Sequence, residues 1–227
     1  MREIVLDTET TGLDPADGHR IVEIGCVELF DHLPTGVTFQ CYLNPERLVG
    51  DSERIHGISD AHLVDKPLFA HVADEFVAFI GDAPLIIHNA SFDLKFLNFE
   101  LQRAGRPHIP YARAIDTIEI AKSKIPGARY SLDELCKRFA IDLSVRTKHG
   151  ALLDAQLTAQ VYLELAGGRQ TRFKLAPGDI GGAQTVQVTV ARIRPTPLPP
   201  RLSEAEAAAH AQFAAKELGD NPVWNWF

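Results

Sequence analysis

The stretch Arg2 to Gly12, REIVLDTETTG, joins a short apolar run to two acidic residues two positions apart. Ile4, Val5 and Leu6 predict a buried strand that delivers Asp7 and Glu9 at its end. Strand side chains alternate between faces, so the two carboxylates share one. Side by side they repel, and a folded state has to supply a shared proton, an Arg or Lys, or a divalent cation. Thr8, Thr10, Thr11 and Gly12 are polar and turn-forming, which fits a strand ending in an open cleft. Taken alone, the pair also fits a solvated strand end.

The following segments build a sheet around that strand. Residues 20–30 (RIVEIGCVELF) and 36–43 (GVTFQCYL) read as two further strands, and the short connections favour an antiparallel meander. Residues 44–65 are polar and irregular. Val72, Phe76, Phe79 and Ile80 form a helical stripe closed by Gly81. Residues 84–88 (PLIIH) read as a buried strand that passes into a helix running to about Ala104, with Phe92, Phe96 and Phe99 on its apolar face. Asn89 or Ser91 can cap this helix, which puts Asp93 in its first turn, where the helix dipole favours an anion. A strand end entering a helix N-terminus is a common address for chemistry in an α/β sheet.

Residues 114–116 read as an edge strand and 117–124 as a short helix. Residues 131–139 open on a capping box, Ser131 with Glu134, and 151–166 (ALLDAQLTAQVYLELA) form the strongest helical pattern in the chain. The elements add up to an α/β fold with a mixed sheet of about five strands flanked by helices. The expected organisation is a domain over residues 1–168, a Pro-rich linker over 169–202, and a terminal segment over 203–227. That segment opens on a second capping box, Ser203 with Glu206, and ends on Trp224, Trp226 and Phe227.

Composition narrows the function classes. The 227 residues carry a net charge of −7. Residues 1–170 hold 17 Lys and Arg against 25 Asp and Glu, or −8, while the remainder holds 6 against 5, or +1. A protein that grips nucleic acid mainly by neutralising phosphates would be basic. Phosphate binding here would need bound cations and a short contact. No apolar run is long enough to span a bilayer and no signal peptide is evident, so a cytoplasmic protein is expected, with no membrane partner. Cys26, Cys41 and Cys136 are widely spaced in apolar surroundings, as buried thiols rather than a disulfide framework or zinc site.

The segment Lys148 to Asp154, KHGALLD, supplies the remaining chemistry. His149 and Asp154 would lie about 140° apart if both were helical. With Gly150 between them, His149 can sit on the loop before the helix while Asp154 points from an early turn, and both can reach one cleft. Asp7, Glu9, Asp93 and Asp154 then form a set of oxygen ligands from three separated elements, suited to magnesium or manganese rather than zinc.

Three motifs now stand in order: DxE at Asp7 and Glu9, NAxFDxxFL at Asn89 to Leu97, and HxxxxD at His149 to Asp154. The chain resembles the DEDDh 3′ to 5′ exonucleases over about residues 1–168. Residues 127–156 (GARYSLDELCKRFAIDLSVRTKHGALLDAQ) and the following GGRQT are similar to members that proofread for bacterial replicative DNA polymerases. The resemblance implies a ribonuclease H-like fold and hydrolysis of a terminal phosphodiester by two divalent cations, Mg2+ or Mn2+. Asp7, Glu9, Asp93 and Asp154 would hold the cations, and His149 would be the general base. His56 and Asn89 match positions near the bound nucleotide, and Thr10 and Thr11 are candidate contacts to the terminal nucleotide. Thr10 and Thr11 can equally shape the turn, and His56 can be a locally bonded loop residue; His88, Asp116 and Arg146 are read as structural.

The resemblance also implies partners. The substrate would be a single-stranded or frayed DNA 3′ end. Gln170, Phe173 and Leu175 in QTRFKL resemble a sliding-clamp-binding hexapeptide, with the two apolar anchors in the less usual order. The helix and aromatic tail from Ser203 to Phe227 resemble the tether to the polymerase catalytic subunit. Competing expectations are a free-standing nuclease acting on RNA or DNA 3′ ends, and a clamp–polymerase scaffold without activity.

Overall fold

The computed structural model describes residues 1–144, 146, 148–167 and 203–217. The expected linker, Gln170, Phe173, Leu175 and the aromatic tail lie outside the described residues. The chain divides into two units, Met1–Lys174 and Leu175–Phe227. In the second, Glu204–Glu217 is helical, and Ser203 and Glu206 form the expected capping box, the Ser203 amide donating to Glu206 at 2.9 Å.

The first unit holds a five-stranded sheet. Strands β1 (Arg2–Thr10), β2 (Ile21–Phe30) and β3 (Leu33–Tyr42) form the antiparallel meander, while β4 (Leu85–Ile87) and β5 (Ala114–Asp116) add in parallel, in the order β3-β2-β1-β4-β5. β3 starts three residues earlier than expected from the sequence. The connection from β2 is only Asp31 and His32, both at positive φ (49° and 69°), as a tight hairpin needs. Neither residue is the glycine that would announce such a turn.

Between β3 and β4 lie α1 (Glu53–His56), α2 (Asp60–Leu63) and α3 (Phe69–Ile80). The first two occupy the stretch expected to be irregular; at four residues each they are too short to show a helical stripe. α4 (Ala90–Arg103), α5 (Thr117–Lys124), α6 (Leu132–Arg138) and α7 (Ala151–Ala166) complete the unit. α6 begins after Ser131 as expected, but Ser131 makes no side-chain cap; Glu134 pairs instead with Lys137 and Arg129.

Alternation along β1 sorts the layers. Ile4 and Leu6 pack with Phe69, Phe76, Leu94 and Phe96 of α3 and α4 on one face. Val5 packs with Val27, Leu29, Ala155, Ala159 and Tyr162 on the other, under α7. α5 and α6 extend that second layer through Ala121, Leu135, Cys136, Leu157 and Val161. Cys26 and Cys136 are buried free thiols and Cys41 a half-buried one, in line with the expectation.

The start of α7 rests on β2 at Gly25, which pairs with Asp7 across the ladder. A Cβ at Gly25 would lie 2.2 Å from the Leu152 nitrogen and 2.3 Å from the Ala151 carbonyl carbon. Both are backbone atoms that cannot rotate away. Gly25 therefore sets how closely α7, and with it Asp154, approaches β1. Gly25→Ala is expected to lower the melting temperature by about 5 °C or more, measured by calorimetry; an unchanged melting temperature would refute this constraint.

Candidate active site

β4 ends at Ile87, opposite Leu6, so residues 7–10 of β1 run on past their parallel neighbour. One edge of β1 is open there. Asp7 and Glu9 continue the face of Val5 toward α7, whereas Thr8 turns to the opposite face and donates to Asp93 of α4 at 2.7 Å. Asp93 thus reaches the strand end from one layer and Asp154 from the other.

Two strand carboxylates fix the helices that carry these acids. The main-chain N–H groups of Asn89 and Ala90 donate to Asp116 at the end of β5, at 3.2 and 3.0 Å. Asn89 itself sits in the left-handed region (φ 72°) and makes no side-chain cap; its oxygen accepts instead from Ser91. The expected local cap is therefore replaced by Asp116, which confirms a structural role for that residue. At α7, Gly150 has no side chain to cap with, and the Ala151 N–H donates to Glu23 of β2 at 3.1 Å. Glu23 pairs with Glu9 in the ladder. Nothing local to a lone Glu in a strand marks it for this role, which depends on the register of the two strands.

Glu9, His149 and Asp154 offer atoms all within 4.8 Å of one another. His149 Nδ1 is 3.3 Å from Asp154 Oδ2, so the imidazole and carboxylate expected to converge do so. The His149 main-chain N–H is 3.4 Å from the carbonyl of Ile55 in α1, which ties its loop to that helix. Arg146, read from the sequence as structural, joins the cluster. Its Nε and Nη2 each donate to an oxygen of Asp154 at 2.6 Å, its Nη1 donates to Asp133, and Nη2 lies 2.9 Å from His149 Nδ1.

The electrostatics follow from this crowding. Burial, then the charges of Asp93, Glu9, Asp154 and Glu23, hold the Asp7 carboxyl well above the usual range. Burial and the neighbouring Asp154, Glu23 and Asp93 raise Glu9 to about 8. Burial raises Asp93 to about 7 against the hydrogen bond from Thr8. Asp154 is the exception: burial pushes it up, but the bonds from Arg146 and His149 outweigh that and hold it low.

The other anticipated contact residues surround this centre. Thr10 Oγ1 donates to the Gly12 carbonyl at 2.6 Å, and Thr11 Oγ1 accepts from the Arg20 N–H and meets His19 Nδ1 at 3.1 Å. Both hydroxyls shape the turn after β1. His56 is buried, its Nδ1 accepting from the Ile58 N–H at 3.0 Å while its Nε2 has no partner. Burial, then repulsion from His149 and Lys148, outweighs the pull of the Thr10 main chain and lowers its pKa. The Asn89 side chain is exposed at the start of α4. His88 meets Thr117 at 2.8 Å, a structural contact as expected.

The chain and its fold match a known class. The family model described as RNase_T, exonuclease, covers residues 4–162. The nuclease domain of 3′hExo, described as a DEDDh family member, superimposes with a TM-score of 0.64 at 23% identity, over 73% of this chain and 91% of that one; this likeness establishes the ribonuclease H-like fold. The DNA polymerase III subunit epsilon of Rickettsia typhi is 49% identical over 96% of this chain and 97% of its own length. The corresponding Escherichia coli subunit is 46% identical over 85% of this chain and 82% of its own. The chain belongs to the exonuclease family and, within it, to the DNA polymerase III epsilon subunits. Among the described residues, no helix is long and apolar enough to cross a membrane.

The raised carboxyls carry a testable cost. Glu9 and Asp93 keep in the fold protons that they would lose on unfolding, between ordinary values of 4.5 and 3.8 and folded values of about 8 and about 7. The native state binds more protons across that window, so rising pH removes stability. In chelator, the melting temperature should fall from pH 5 to pH 8, and millimolar Mg2+ should restore most of the loss at pH 8. Scanning fluorimetry would show this; a flat profile in chelator would contradict it.

Proposed function

We propose that this protein is the proofreading 3′ to 5′ exonuclease of a replicative DNA polymerase, releasing 5′ mononucleotides from a single-stranded or frayed DNA 3′ end. The observation that carries the proposal is the convergence of Glu9, Asp154 and His149 within 4.8 Å beside the open end of β1. Near-full-length identity to proteins named DNA polymerase III subunit epsilon supports the biological setting.

The residues fit a pair of divalent cations, Mg2+ or Mn2+. Asp7, Glu9 and Asp93 are carboxyls whose charge burial and mutual repulsion disfavour, which is the penalty a hard cation relieves. Asp7, Glu9, Asp93 and Asp154 would hold them. Such ions make a bound water acidic enough to attack a phosphodiester and offset charge on the departing oxygen.

The remaining work falls to the chain itself. Thr8 holds Asp93 in place, and the carboxylates of Asp116 and Glu23 fix the helices that present Asp93 and Asp154. His149 is half exposed at the rim, where its ring can take a proton from an attacking water. His56, with its unpartnered Nε2, and Asn89, exposed at the N-terminus of α4, are proposed contacts to the terminal nucleotide. Thr10 and Thr11 contribute by holding the turn beneath it. Discrimination needs no base-specific contact, because a mispaired end unstacks more cheaply than a paired one. The proposed organisation is a nuclease domain over 1–168, a linker over 169–202 with Gln170, Phe173 and Leu175 as the clamp contact, and a polymerase tether over 203–227. A cytoplasmic location follows from that role.

With Mg2+ and single-stranded DNA, His149→Ala is expected to lose about 100-fold or more of the rate while retaining a native melting curve. Undiminished release of mononucleotides would exclude His149 as the base. Faster cleavage of an RNA strand than of the matching DNA would favour a free-standing RNA nuclease instead. Association with the polymerase catalytic subunit should survive in the full chain and be lost when residues 203–227 are removed, as read by co-purification; retention would exclude the tether.

A further inference from the structure

We propose that Arg146 is a resident cation that closes the active site, holding both oxygens of Asp154 and the Nδ1 of His149, and that a divalent cation has to displace it to bind. The inference rests on Asp154 being a metal ligand.

The geometry is that of a planar fork on a carboxylate. Nε and Nη2 each reach one Asp154 oxygen at 2.6 Å, the two-pronged arrangement that makes arginine pairs strong and directional. The side chains are 8% and 4% exposed, so water screens the pair little. Nη2 is also 2.9 Å from His149 Nδ1. A guanidinium has donors only, so Nδ1 accepts from it in the Nε2–H tautomer, whereas in the Nδ1–H tautomer the same atom donates to Asp154 Oδ2, 3.3 Å away. In either tautomer both Asp154 oxygens are already engaged by Arg146.

Two further features suit exchange rather than a fixed structural pair. Arg146 lies on the connection between α6, which ends at Arg138, and α7, which begins at Ala151, so its backbone belongs to no helix. Its Nη1 already donates to Asp133, a carboxylate 48% exposed at the edge of the cluster. Asp133 offers a perch on which the guanidinium stays paired after it releases Asp154. Within the cluster Arg146 balances charge that Asp7, Glu9, Asp93 and Asp154 would otherwise leave uncompensated, and this explains why Asp154 alone is held low while its neighbours are raised.

The test is binding of Mn2+ to the full chain without DNA, followed by the loss of the free-ion electron paramagnetic resonance signal. Arg146→Gln removes the competitor and should tighten Mn2+ binding by about fivefold or more, while lowering the melting temperature in chelator. Loss of a merely structural residue would loosen the site and weaken binding. Equal or weaker affinity in a folded Arg146→Gln protein overturns the proposal, whereas failure of both proteins to bind Mn2+ overturns the metal-site reading with it. Should Arg146→Gln not fold, Arg146→Lys keeps the charge but loses the fork, and is expected to bind Mn2+ about twofold more tightly; unchanged or weaker binding there is equally decisive against it.

Discussion

Negative charge buried at the open end of β1 is the constraint on which the rest of the unit depends. β4 stops opposite Leu6, and the three residues beyond it carry two carboxylates into a space that α4 and α7 fill with two more. Glu23 adds a fifth from β2. A dry interior opposes such a grouping, and the fold answers with several partial remedies. Asp7, Glu9 and Asp93 shift toward the protonated form, Thr8 donates to Asp93, and Arg146 takes the whole of Asp154. The net charge of −7 belongs to the same logic, since cations at the cleft rather than a basic surface would meet a phosphate.

The two helices that deliver acidic residues are anchored in the same way. Asp93 stands three residues after the first residue of α4, and Asp154 three residues after the first of α7. Each start is held by a carboxylate from a strand, Asp116 for α4 and Glu23 for α7, accepting main-chain N–H groups. Local caps would have fixed where the helices begin but not where they lie. A carboxylate reaching from the sheet does both, and it fixes each first turn relative to β1. Gly25 provides the counterpart on the packing side, by removing the one side chain that would hold α7 away from the sheet.

Much of this was legible from patterning. The stripe of α3, the run of α7 and the apolar stretches of β2 and β4 are strong because burial, on one face or on both, selects apolar side chains. The three acidic motifs were legible for a related reason: they stand at strand ends and first helical turns, which local pattern locates. Less legible were elements without periodicity. α1 and α2 have four residues each, and the turn between β2 and β3 uses Asp31 and His32 in place of the glycine that usually marks it. The capping signal at Ser131 proved too local, because Glu134 found Lys137 and Arg129 instead.

The sequence by itself determined the order of elements, the acidic set Asp7, Glu9, Asp93 and Asp154, and the pairing of His149 with Asp154 across Gly150. Each depends on neighbours in the chain and on the alternation or periodicity of side chains. Only the tertiary structure decided that Asp116 and Glu23 would anchor α4 and α7, that Gly25 would admit α7, and that Arg146 would sit on Asp154 and His149. These contacts join residues from different elements, up to 128 positions apart for Glu23 and Ala151. Burial can be read from a pattern along the chain; which charge finds which partner depends on how the layers meet.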